Sequence, residues 1–150
     1  MRRHGLLVLI FTTLALGDGR AADGPLQAPD DKRFTAEAAR KMIETAQQRL
    51  APVYAPLAEQ IVNDFKLADK EGIGIDVGSG PGTLIFELCR RSRLYWINAD
   101  INTFQAEAFF QRALTNECAA QMGWIFADVH HLPFRNNYAD IVVSRGSFQF

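Results

Sequence analysis

Apolar and polar positions divide this chain into blocks of two periods. From Ile73 to Val77 a short apolar run carries one acid, Asp76, and then breaks into Gly78, Gly80 and Gly82 on alternate positions. Apolar residues resume at Leu84, Ile85 and Leu88, the spacing of one helix face. This predicts a strand, a tight glycine loop and a helix. Leu94 to Ala99 predicts a second strand, ending at Asp100. Asn102 then suits a helix N-cap, with Gln105 as its capping-box partner, and Phe109, Ala113 and Leu114 continue the helix. Gly123 to Ala127 predicts a third strand, running into Asp128 and Val129. After the turn Leu132-Pro133-Phe134 and a polar stretch, Ile141 to Val143 predicts a fourth, ending at Ser144.

Upstream the period is helical. Thr35 caps a helix from Ala36 to Leu50, Ala51-Pro52 breaks it, and a second begins at about Tyr54 with Leu57, Ile61 and Phe65 stacked every fourth residue. Tyr54 is open to two readings, core packing and ligand contact. Strands alternating with helices predict an α/β, Rossmann-like three-layer sandwich, a parallel sheet with helices on both faces, preceded by two helices. Residues 1–22 have a basic start, an apolar run from Gly5 to Leu16 and a small, polar end, the layout of a secretory signal peptide. That run is shorter than the about 20 residues a bilayer span needs. A buried N-terminal helix is the competing reading. Residues 23–34, with two prolines and several acids, read as a linker.

Composition narrows the partners. A net charge of −1 and the lack of a basic tract with interleaved aromatics argue for a small-molecule partner and against nucleic acid. Arg90, Arg91 and Arg93 read as a solvated helix end. His130 and His131 stand without a metal-spaced cluster, so no metal is expected and no catalytic residue is assigned. Cys89 and Cys118 are compatible with one disulfide, but buried thiols are the default.

Each predicted strand ends in chemistry. Glycines at 78, 80 and 82 let backbone approach a ligand, and Asp76 can accept from a ligand's ammonium group. Asp100, about 20 residues beyond the loop, can accept from both ribose hydroxyls. A dinucleotide loop would place its third glycine where Thr83 stands. The pattern Asp76-x-Gly78-x-Gly80-x-Gly82 instead resembles the first motif of class I S-adenosylmethionine-dependent methyltransferases. The block from Asp128 through Leu132-Pro133-Phe134 to Ser144-Arg145-Gly146-Ser147 is similar to the subgroup that includes ubiquinone and menaquinone biosynthesis enzymes.

The resemblance implies S-adenosyl-L-methionine as cofactor and a small-molecule methyl acceptor. It also implies cofactor contacts at Asp76, Gly78, Ser79, Gly80, Gly82, Asp100, Ile101, Asp128, Val129 and Ser144. Asp128 would meet the adenine amine and the Val129 N–H a ring nitrogen. Since that family's sheet has seven strands, residues 35–150 read as the N-terminal part of the domain, and the chain as a fragment or a truncated product. A non-catalytic cofactor-binding module and a nicotinamide-dependent oxidoreductase are the alternatives. The leader-like N-terminus implies an envelope, periplasmic or secreted protein without a stable membrane span after cleavage. Cofactor supply favours the cytoplasm or a membrane anchor instead.

Overall fold

The computed structural model describes residues 35–145. The leader and linker readings therefore lie outside the described residues, as do Gly146 and Ser147. Elements follow in the order α1 (Ala36–Thr45), α2 (Ala51–Asp64), β1 (Ile73–Val77), α3 (Thr83–Cys89), β2 (Tyr95–Asp100), α4 (Ala106–Thr115), β3 (Met122–Phe126) and β4 (Ile141–Val143). All four strands are parallel, in the order β3-β2-β1-β4. Chain direction along the sheet thus reverses after β3, and β4 pairs with the opposite edge of β1. Ligands in open parallel sheets bind outside the carboxyl ends of strands beside such a reversal.

The two sheet faces are covered differently. On one, Trp96 of β2 and Ile141 and Val143 of β4 pack under Ile61 of α2, Phe86 of α3 and Phe109 of α4. Trp96 is fully buried, and its indole N–H donates to Ser92 Oγ at 3.0 Å, so the largest core side chain leaves no unpaired donor. Ile75 and Val77 of β1 and Ala99 of β2 point to the other face. There, among the described residues, the cover is not a helix but the segment after β3, through Leu132, Phe134 and Tyr138. Ile73, Ile97, Ile125 and Val142 remain half-buried on that face. The second helical layer of the expected sandwich is not among the described residues.

Local differences from the sequence reading have identifiable causes. Ala51-Pro52 does not break the first helix. Residues Ala46–Leu50 form a π-helical turn, and the Ala51 N–H donates to the Ala46 carbonyl five residues back. Pro52 has no N–H to give, so the widened turn absorbs the shift and Pro52 sits in the first turn of α2. Thr35 caps α1 as expected, accepting from the Ala38 N–H at 3.2 Å. The Asn102–Gln105 capping box does not form. Asn102 Oδ1 accepts from the Phe104 N–H, but its own N–H is taken by Asp100 Oδ1 at 2.8 Å, which frees Gln105 for another partner. Phe65 and Leu114 face outward, at 38% and 63% exposure, because both stand where their helices end. Cys89 and Cys118 are buried free thiols. Burial first, then a bond to Cys118, pushes the Cys89 thiol up to about 12. No helix among the described residues is long and apolar enough to cross a membrane.

Candidate functional site

The sheet order lines the acids up along one edge. Asp128 follows β3, Asp100 closes β2, Asp76 and the glycine loop close β1, and Ser144 follows β4. Asp76 stands in register with Asn98 of β2 on one side and Val143 of β4 on the other. The Gly78 N–H continues the ladder by donating to the Ala99 carbonyl at 2.8 Å. Ser144 Oγ donates to the Val77 carbonyl at 2.9 Å, tying the end of β4 to the start of the loop.

The second strand holds the loop by one residue, Gly80. The Gly80 N–H donates to Asp100 Oδ2 at 2.7 Å, while Asn98 Nδ2 donates to the Gly80 carbonyl at 3.3 Å. Asp100 therefore has one oxygen on Gly80 and the other on the Asn102 N–H, with accepting capacity left on the carboxylate. Gly80 lies at φ +56°, and a Cβ there would come within 3.3 Å of Met42 Sδ and 3.5 Å of Gln105 Oε1. Met42 on α1 and Gln105 thus form the ceiling of the loop, joined by Gln105 Nε2 to Met42 Sδ at 3.2 Å. Gly82 serves packing: at φ +75°, an added Cβ would stand 2.9 Å from the Phe109 ring.

The two central acids are dry. Asp76 is 2% exposed and Asp100 8%. Burial, and then the neighbouring Asp100, raise the Asp76 carboxyl well above its ordinary value. Burial also raises Asp100, against the lowering pull of the Asn102, Gly80 and Ile101 N–H groups. Ile101 contributes that backbone bond and is itself half-buried. Asp128 is the opposite case. The His130 N–H donates to its Oδ1 at 2.9 Å, the His130 ring nitrogen stands at the same distance, and His131 lies 3.9 Å from Oδ2. These bonds hold its carboxyl below the usual range. Val129 packs its side chain on the sheet, while the turn around it closes through the His131 N–H to the Asp128 carbonyl.

Whether an adenosyl ligand suits these residues is tested by the polar atoms they leave over. Five buried side-chain polar atoms lack a partner among the described residues, and four belong to the loop or its clamps: Ser79 Oγ, Thr83 Oγ1, Asn98 Oδ1 and Gln105 Oε1. Buried polar groups are normally paired, so this concentration fits a polar ligand at the loop. Sequence reasoning missed Asn98, Gln105 and Met42 as loop contacts. For Asn98 a signal existed: an amide two residues before Asp100 inside an apolar strand.

Residues 75–150 match a family model described as a methyltransferase domain. Among solved structures, a candidate S-adenosyl-L-methionine-dependent methyltransferase from Methanococcus maripaludis is 32% identical, with a TM-score of 0.72 over 81% of this chain and 54% of that one. A candidate sarcosine dimethylglycine methyltransferase from Galdieria sulphuraria, 15% identical, has a TM-score of 0.52 over 57% of this chain and 32% of its own, a likeness of fold alone. The chain spans about half the length of the first, 54%, and less of the second. Curated proteins give no match.

Proposed function

The chain belongs to the methyltransferase-domain family, and from that premise we propose that its carboxyl edge binds S-adenosyl-L-methionine for methyl transfer to a small-molecule acceptor. The observation that carries this reading is the double hold on Gly80 by Asn98 and Asp100, which fixes the loop against two buried acids. In it, Asp76 receives the ammonium of the cofactor and the free lone pairs of Asp100 receive its ribose hydroxyls. Asp128 and the Val129 N–H meet the adenine, and Gly78, Ser79, Gly80, Gly82, Ile101 and Ser144 shape the floor.

The bound sulfonium would supply an electrophilic methyl group already attached to a good leaving group. What remains for the protein is to bind, align and exclude water. Asp76 contributes through its proton. An uncompensated buried carboxylate is costly, so the free protein favours its protonated form more than water would, and a cationic ammonium restores the charged form. Met42 and Gln105 cover the loop at Gly80.

Titration of the chain with S-adenosylhomocysteine, against a nicotinamide dinucleotide, tests the cofactor. Turnover of a labelled methyl group separates an enzyme from a non-catalytic module. Export to the cell envelope is part of the same reading, supported by the basic-then-apolar residues 1–22. An epitope-tagged copy found only in the cytosol, at full unprocessed mass, would contradict it.

A further inference from the structure

Beyond the end of β4 stands a cation that the cofactor reading does not use. Arg145 follows Ser144, which is bonded to the Val77 carbonyl at the mouth of the glycine loop. Its guanidinium lies over the Tyr54 ring at 4.6 Å from the centroid, and its Nη1 donates to the Tyr54 hydroxyl. Tyr54 is 8% exposed and packed in the core of α2, so the ring is a fixed platform, while Arg145 is only half-buried. Arg145 bonds to no carboxylate among the described residues. The ring contact takes up no N–H and the tyrosine hydroxyl takes one, so among the described residues most of the five donors are left for a ligand.

Position supplies the second half of the argument. Val143 is the register partner of Asp76, so Arg145 lies two residues past that pairing, on the side of β1 away from Asp100 and Asp128. If adenine lies toward Asp128 and ribose toward Asp100, the methyl-donor end of the ligand points toward Arg145. A guanidinium anchored on Tyr54 at that end, with N–H groups left over, matches a planar two-oxygen anion.

We propose that Arg145, held by Tyr54, is a carboxylate-binding subsite at the methyl-donor end of the site. The carboxylate belongs either to the acceptor, making it an organic acid, or to the amino-acid end of the cofactor. The position rests on the cofactor reading; the anion chemistry rests on the pair itself.

The test follows the Arg145 side-chain Nε–H by NMR on the 15N-labelled chain, assigned by its loss in Arg145→Lys. Acetate is titrated at constant ionic strength on the free chain, then with S-adenosylhomocysteine, then with its decarboxylated analogue. A response to acetate that persists with S-adenosylhomocysteine bound assigns the subsite to the acceptor. A response blocked by S-adenosylhomocysteine but not by the decarboxylated analogue assigns it to the cofactor. Removing the fork in Arg145→Gln should weaken carboxylate binding roughly tenfold or more. Tyr54→Phe, which keeps the packed ring, should weaken it less. An Arg145 resonance unmoved by acetate and by S-adenosylhomocysteine, in a chain that does bind S-adenosylhomocysteine, would overturn this subsite alone. A chain that binds acetate at Arg145 but no S-adenosylhomocysteine would overturn the cofactor reading and leave the subsite standing.

Discussion

The two ends of the carboxyl edge are built in opposite ways. Around β1 and β2, Asp76 and Asp100 are buried and pushed toward their protonated forms, and the loop and its clamps hold polar atoms without partners among the described residues. Beyond β3, Asp128 is a half-buried acid already satisfied by His130 and held toward its charged form. The first end carries an electrostatic cost that a ligand would relieve, and the second carries none. Ligand recognition should therefore depend steeply on Asp76 and Asp100 and only weakly on Asp128.

The largest effect should come from Asp76→Asn. Leaving a ligand ammonium without its buried counter-charge costs about 3 kcal/mol, roughly a hundredfold in affinity for S-adenosylhomocysteine by calorimetry. The same change should stabilise the free chain at neutral pH. Because burial raises the folded-state pKa of Asp76 above its unfolded value, the folded state binds the proton more tightly. Stability from this group is then present at acid pH and lost as pH rises through the raised value. Thermal melts across that range should show the fall in the parent chain and a shallower one in Asp76→Asn.

Asp100→Ala should cost about 2 kcal/mol of binding through lost ribose bonds, and should also loosen the loop, since the Gly80 N–H loses its acceptor. No change in affinity would remove Asp100 from the site. Gly82→Ala attacks the same end through packing, placing a Cβ 2.9 Å from Phe109 in a left-handed backbone. Its expected cost is about 1–2 kcal/mol in thermal stability, from strain and overpacking. At the far end, Asp128→Asn should change affinity by about 1 kcal/mol or less, because the side chain spends its bonds on its own turn. An Asp128→Asn loss as large as that of Asp76→Asn would break the contrast between the ends.

What could be read from sequence divides along the same line. The four strands and the glycine loop were legible because their signals are local: short apolar runs, glycines at fixed spacing, and an acid at the end of the first three. The parallel order was implied by alternation with helices. The clamps on the loop were not legible, since each joins residues far apart in sequence. Gln105 looked like a capping partner for Asn102, but Asp100 competes for that N–H and wins from within the strand end. Pro52 looked like a break because the π turn that accommodates it leaves no compositional mark. Tyr54 was open between core and ligand, and it is buried in the core while also seating Arg145.

Calorimetric titration of the chain with S-adenosylhomocysteine, over a series of pH values, tests the dry end of the site most directly. The expected result is binding in preference to a nicotinamide dinucleotide, weaker below the raised Asp76 pKa than above it, because the ammonium there meets a protonated acid. Absent binding, or preference for the dinucleotide, would contradict the account.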